Sequence, residues 1–246
     1  MLYIKKGRPP GAMLRKISQI KSSPQWKQIK SGETDLLRME FDKLPKEIIR
    51  ESLLKEQHYL CAYCMRKIKN DGLKTTIEHI SPLSRDKERA LDYKNMLAVC
   101  DGGRNWEGTG KRILCCDACK EDAVELKISP LNKQQMNKIT YSKEGFMAIG
   151  DNELDEDINH KLCLNGIWKN GEFVADTSTG LVKGRRDTYL QFKRLMKKLD
   201  DRGICTSARI KKKMEEIEGA EQRLEYAGVL LYYLKRKYQS LVKRGQ

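Results

Sequence analysis

Between Cys61 and Lys120 the chain places six of its eight cysteines and one of its three histidines. The order is Cys61-Ala-Tyr-Cys64, then Ile77-Glu78-His79, then Cys100, then Cys115-Cys116-Asp117-Ala118-Cys119-Lys120. Two thiolates separated by two residues can reach one tetrahedral ion, about 2.3 Å from each sulfur. A redox pair would need a strand followed by a helix of the thioredoxin kind, and the flanking sequence offers none. A carboxylate beside an imidazole suits other work: oxygen ligation of a hard cation, and proton transfer at neutral pH. The stretch therefore reads as two metal sites, a zinc that holds a small fold together and a hard divalent cation beside an imidazole.

The elements that must position these groups follow from pattern. Thr34 to Leu60 is helical, with Pro45 starting a second helix whose Ile48, Ile49, Leu53, Leu54 and Leu60 recur at helical spacing and deliver the chain into Cys61. Arg66–Ile68, a turn at Asn70-Asp71-Gly72 and Thr75–Ile80 predict a β-hairpin that Pro82 ends. Met96–Val99 is an apolar run leading to Cys100, Asp101–Lys111 is a polar, Gly-rich surface insertion, and Cys115–Lys120 opens a short helix.

Charge says what such a site would face. The net charge of +15 comes from the ends: residues 1–30 carry eight Lys or Arg and no acid, and residues 183–246 carry eighteen against eight acids. Residues 31–182 are left slightly acidic, at −3. Clustered cations on both flanks of a metal site point to a polyanion, nucleic acid above all. No apolar run approaches the ~20 residues of a membrane span, and the first residues hold no secretory signal, so the expectation is a cytoplasmic protein with no membrane partner. In that compartment the cysteines should be thiols or metal ligands rather than disulfides.

The same residues resemble a known family. CxxC, Glu-His, Asn, Cys and Cys-Asp-x-x-Lys, in that order, are similar to the HNH endonucleases, whose fold is ββα-metal. More narrowly, Glu78-His79-Ile80-x-Pro82, Leu91-Asp92-Tyr93-x-Asn95 through Cys100, and Cys116-Asp117-Ala118-x-Lys120 resemble the HNH proteins of retron and Septu anti-phage systems. Ser129-Pro130-Leu131-Asn132, Ile139-x-Tyr141, Gly145 and Asp157-Ile158-Asn159 extend the likeness, which covers roughly residues 45–165. It implies that His79 is the general base and that Glu78 is an acidic ligand of Mg2+ or Mn2+. Asn95, sixteen residues after His79, would either bind that cation or orient the histidine. Asp117 stands where relatives often carry His or Asn; a carboxylate also ligates a hard cation, so it becomes the third ligand. Cys61, Cys64 and Cys100 are zinc ligands, and the fourth is Cys115, Cys116 or Cys119. Cys116 keeps the Cys-Asp-x-x-Lys register and is chosen, with Cys119 as the alternative. Implied partners are nucleic acid, a PtuA-like SMC/ABC ATPase (this chain has no Walker A sequence) and, in the retron branch, a reverse transcriptase with its multicopy single-stranded DNA.

The expected class is α+β: a basic helical N-terminal arm over 1–44, a zinc-stabilised ββα-metal core over 45–130, a small β extension over 131–185 and a basic helical region over 186–246. Within the arm, Leu14, Ile17 and Ile20 form a helical turn, while Trp26 and Ile29 dock on the core or on a partner. Hairpins are predicted over Ile139–Ile149 and around Asn170-Gly171, with a further strand at Leu162–Leu164. A helix runs from Asp187 to the Asp200–Gly203 break, and a single long one, capped by Thr206 or Ser207, carries Ile210, Met214, Ile217, Leu224, Leu231, Leu234, Tyr238 and Leu241 on one stripe. That stripe serves the core or a partner equally well. His58 and His160 read as surface or turn histidines, and Cys163 and Cys205 as small buried apolar residues. Two functions compete: a metal-dependent nuclease cutting DNA or structured RNA, tRNA included, and a non-catalytic zinc module that binds nucleic acid or scaffolds an ATPase.

Overall fold

A computed structural model describes residues 1–31, 34–105, 114–120 and 124–244. Among the described residues the fold is α+β, with helices around three small two-stranded antiparallel sheets. Part of the insertion expected over Asp101–Lys111 lies outside the described residues.

The first ten residues are extended, as Pro9 and Pro10 require. They lie on the core: Met1 and Ile4 are buried, and Ile4 N–H donates to the Pro130 carbonyl at 2.9 Å. Four helices follow, α1 (Gly11–Lys21), α2 (Trp26–Ser31), α3 (Thr34–Asp42) and α4 (Lys46–Glu56). Met13 and Ile20 of α1 enter the main core, and Trp26 and Ile29 pack on Leu37, Leu83 and Ala90. The N-terminal arm thus docks on its own chain.

Helix α4 buries Ile49, Leu53 and Leu54 against β1 (Thr75–His79) and β2 (Met96–Cys100). These strands pair antiparallel, Thr75 opposite Cys100 and His79 opposite Met96. The predicted hairpin partner, Arg66–Ile68, is corrected here. The Cys61–Cys64 turn folds its own flanks together, with Leu60 bridging Lys67 and Ile68 N–H donating to the Tyr59 carbonyl at 3.0 Å. The segment is already paired, and β1 takes the apolar run Met96–Cys100, buried along its whole length. Gln57 covers the outer edge of β2, its amide donating to Ala98 O (2.7 Å) and accepting from Ala98 N (2.8 Å), which closes the sheet as a strand would.

Beyond the sheet come α5 (Lys133–Lys138), the hairpin β3 (Thr140–Tyr141) with β4 (Met147–Ala148), α6 (Asn152–Glu156) and the hairpin β5 (Gly166–Lys169) with β6 (Glu172–Ala175). The latter turns on Asn170 and Gly171, both at positive φ, as a two-residue hairpin turn requires. Helix α6 continues as a π-turn through Asp157–Lys161, so Leu162–Leu164 forms no strand and His160 sits in that turn, stacked on Trp168 at 4.9 Å.

Helix α7 (Leu181–Asp201) begins six residues before the predicted start at Asp187, because Asp176 accepts from Thr179 N (2.7 Å) and Leu181 N (3.0 Å) and fixes the turn ahead of it. The long C-terminal helix is in fact two, α8 (Ser207–Gly219) and α9 (Ala227–Lys243). Thr206 caps α8 as predicted, accepting from Arg209 N–H. The break at 220–226 follows Gly219, the last residue of α8, and is held by docking: Arg223 N–H donates to His58 O (3.1 Å), Lys67 N–H to Glu225 Oε1 (2.9 Å), and Tyr226 N–H to Met65 O (3.0 Å). Leu224 accordingly leaves the stripe and is 62% exposed, whereas Ile210, Ile217, Leu234 and Leu241 are buried. One hydrophobic core runs through all four sequence segments, from Met1 to Leu241.

Candidate functional site

Cys61 and Cys64 flank a tight turn that ends in Met65 at positive φ, Cys100 closes β2, and Cys116 starts a 3-10 turn (Cys116–Ala118). Gly102 reverses the chain between the last two; a Cβ there would lie 2.1 Å from the Cys115 carbonyl. The four sulfurs meet, all within 4.8 Å of one another and all buried. Cys61–Cys116, Cys64–Cys100 and Cys100–Cys116 are 3.9, 3.7 and 3.6 Å apart. A regular tetrahedron with ~2.3 Å metal–sulfur bonds has edges of about 3.8 Å, so the donor set fits a metal such as zinc. Cys100 N–H points at Cys61 Sγ from 3.3 Å, the kind of outer hydrogen bond that supports a thiolate ligand.

The open choice of fourth ligand falls on Cys116. Cys115 is buried beside the cluster but turns its sulfur toward Gly102 O at 3.7 Å. Cys119 is joined to Cys163 as a disulfide, which corrects both its candidacy and the expectation that no cysteines would pair. Forty-four residues separate the two, and only the packing of the π-turn segment on the 3-10 turn, with Cys116 N–H donating to Leu162 O (2.8 Å), brings them together. Cys205 is half-buried.

A cleft of about 550 Å³ opens beside the cluster, and Glu78, His79, Asp117, Lys120 and Arg104 line it. The end of β1 presents the first two, and the turn that begins at Cys116 presents Asp117 and Lys120. Lys120 Nζ contacts Glu78 Oε1, and the Tyr63 hydroxyl stands 3.5 Å from the same oxygen. Arg104 grips Asp117 with two donors, Nη1 to Oδ2 at 2.8 Å and Nη2 to the main-chain O at 3.1 Å. Burial, and then the Asp117 charge, push the Glu78 carboxyl up to about 8, against the opposing pull of Lys120. Asp117 stays below its usual value: hydrogen bonds from Glu78 and Arg104 outweigh its burial.

His79 is 9% exposed, with Phe41 edge-on at 4.6 Å. Its Nε2 lies 2.9 Å from Ala90 O, which can only accept, so Nε2 carries the proton and Nδ1 is the basic nitrogen. Burial, helped by Lys46, Lys120 and Arg38, pulls its pKa down to about 4, so the ring is neutral at pH 7.

Asn95 is not in the cleft. It is fully buried, its Oδ1 accepting from Ser81 N (2.8 Å) and its Nδ2 donating to Ser81 O (3.0 Å) and Arg89 O (3.2 Å). Those bonds pin the loop that presents Ala90 O to His79. Of the two roles that the resemblance implied, this geometry fits orientation of the histidine and not ligation.

Lys120, Arg104, Tyr63 and Phe41 were not expected in the site. Lys120 carried a usable signal, four residues after Cys116 and so one turn along; the other three carried none. His58 is held elsewhere, its Nδ1 2.8 Å from Ala220 O. Among the described residues no helix is long and apolar enough to cross a membrane. No protein-family model matches this chain, and no curated protein is significantly similar to it.

Proposed function

We propose that the chain is a metal-dependent HNH-type endonuclease with a ββα-metal core, hydrolysing phosphodiester bonds of DNA or of structured RNA such as tRNA. One observation carries the reading: Glu78, His79 and Asp117 share one cleft, built on the strand pair and the short turn that also supply cysteines to the buried cluster. In this reading Cys61, Cys64, Cys100 and Cys116 bind a structural zinc, and Glu78 and Asp117 would hold Mg2+ or Mn2+. Two carboxylates facing one cleft are the oxygen donors a hard cation takes. The cation would neutralise charge developing on the phosphate. His79, neutral and protonated on Nε2, accepts a proton from water at Nδ1. Ala90 O steadies the ring, and Asn95 steadies Ala90. Lys120, which lines the same cleft, would offer a cation to a phosphoryl oxygen once released from Glu78.

Resemblance extends the proposal to a role as the toxic effector of a retron or Septu anti-phage system in the cytoplasm. There it would act with a PtuA-like ATPase and, in the retron branch, the reverse transcriptase and its multicopy DNA. Purified protein with Mg2+ or Mn2+, or its reconstituted complex, should cleave nucleic acid, and His79→Ala should lower the rate by about a hundred- to ten-thousand-fold. Equal cleavage by wild type and variant would remove His79 from the mechanism.

A second reading has its own observation: both cleft carboxylates already carry cationic partners from within the chain, Lys120 and Arg104. A non-catalytic zinc module would be satisfied in that state. Defence retained with His79→Ala and lost with Cys64→Ala would select it.

A further inference from the structure

Helices α7 and α8 each pack against α9 rather than flat against each other. Their splay leaves a groove of about 660 Å³, far larger than one side chain. Lys198 and Arg202 line it from the end of α7, Arg209, Lys212 and Lys213 from α8, and among the described residues the single acid on its walls is Glu216. All six side chains are exposed.

Lys213 and Glu216 neutralise each other at 3.0 Å. Among the described residues, Lys198, Arg202, Arg209 and Lys212 have no ion-pair partner, although neighbours on the same helices do: Lys211 reaches Glu215 at 3.9 Å and Asp200 reaches Lys237 at 3.8 Å. Four uncompensated cations on facing walls repel one another and raise the potential between them, which a run of anions would relieve. The floor is aliphatic, formed by Leu195, Leu199 and Ile204, and no aromatic ring among the described residues lines the groove for a base to stack on.

We propose that this groove binds the sugar–phosphate backbone of a nucleic acid, without reading its bases. Spaced cations with no base-reading amide or aromatic group are what phosphate contacts consist of. The inference does not depend on chemistry in the cleft, because the groove would bind nucleic acid whether or not His79 acts on it.

The test is equilibrium binding of full-length protein to a fluorescent mixed-sequence DNA duplex over a range of salt, with no Mg2+, Mn2+ or chelator present. The triple variant Arg202→Gln, Arg209→Gln, Lys212→Gln is compared with Lys197→Gln, Lys211→Gln, Lys235→Gln, which removes equal charge from exposed positions outside the groove. Each phosphate contact contributes about 0.9 to the slope of log affinity against log salt, so the groove triple should flatten that slope by about 2–3 and weaken binding at ~0.1 M salt by at least about tenfold. The control triple should change both much less. Equal effects of the two triples would overturn the proposal, since net charge alone would then account for binding. So would displacement of the duplex by poly-L-glutamate as effectively as by unlabelled DNA at equal charge, which would mark the groove as a site for acidic protein. Because no cleavage is measured, failure here leaves the nuclease proposal standing, and an inactive His79→Ala protein should bind the duplex as wild type does.

Discussion

The cysteine cluster and the cleft beside it are built on the same strands and the same turn, yet they solve opposite problems. In the cluster, four like groups converge, all buried, at the spacing of ligands around one metal ion. In the cleft, unlike groups face an open volume and each already has a partner: Lys120 on Glu78, Arg104 on Asp117, Ala90 O on His79. A closed site of this kind holds a fold together, whereas an open one with exchangeable partners can admit a ligand. Position along the chain does not separate them, since Cys116 and Asp117 are adjacent residues. The difference lies in burial and in the variety of the groups.

The contrast can be broken most severely from the cluster side. Cys64→Ser should abolish the cooperative thermal transition, because structural zinc contributes folding free energy outright; circular dichroism and measurement of bound zinc would check this. If the variant melted like wild type, the cluster would not be what holds these elements together.

Acid should sharpen the contrast from the cleft side. The His79 pKa is lowered from 6.5 to about 4, so below pH 6.5 the unfolded chain binds a proton that the folded one refuses. The stability present above pH 6.5 is therefore lost progressively toward pH 4, by up to about 3 kcal/mol. His79→Gln cannot show this loss, and the difference between its denaturation curves and those of wild type at pH 7 and pH 4.5 isolates it.

A smaller effect tests the support of the cleft. Asn95→Ala leaves Ser81 and Arg89 backbone groups without partners and should cost about 2–3 kcal/mol. It should also depress cleavage while leaving bound zinc unchanged. The smallest is Arg104→Ala. Its side chain is 44% exposed, so the stability change should stay below about 1 kcal/mol. Affinity for Mn2+, read by titration, should instead rise as Asp117 is released.

The legible part of this site was its chemistry. Spacing alone paired Cys61 with Cys64, and Glu78-His79 marked a second group of donors, because these side chains lie within a few residues of one another; Cys100 and Cys116, which the fold brings to the same point from 36 and 55 residues away, were chosen from motif order, with Cys119 as the alternative. Partnerships made across the chain were not legible. Arg66–Ile68 has the composition of a strand, but the cysteine turn pairs it with its own flank. The 220–226 break follows Gly219, a local stop the stripe reading passed over, and its path is set by the bonds to His58, Lys67 and Met65. Cys119 and Cys163 look like spare thiols until the π-turn segment packs on the 3-10 turn. Asn95 could be read as a ligand because its type allows it; only the loop around it shows where its amide is spent.

Tyr226 gives one of these contacts a wider meaning. It starts α9 at a φ of 55°, its N–H holds the Met65 carbonyl just past the cysteine turn, and its ring lies against α7 where Gly184 leaves room, since a Cβ there would sit 2.3 Å from the ring. Three parts of the molecule meet at this one residue, as at the pin of a joint. Helix α7 cannot slide along α9 without pushing the ring, and the ring cannot shift without pulling on the loop that carries Cys64. The basic C-terminal helices and the cysteine turn thus share one contact residue, and Gly184 is where a single added methyl group would force that ring aside.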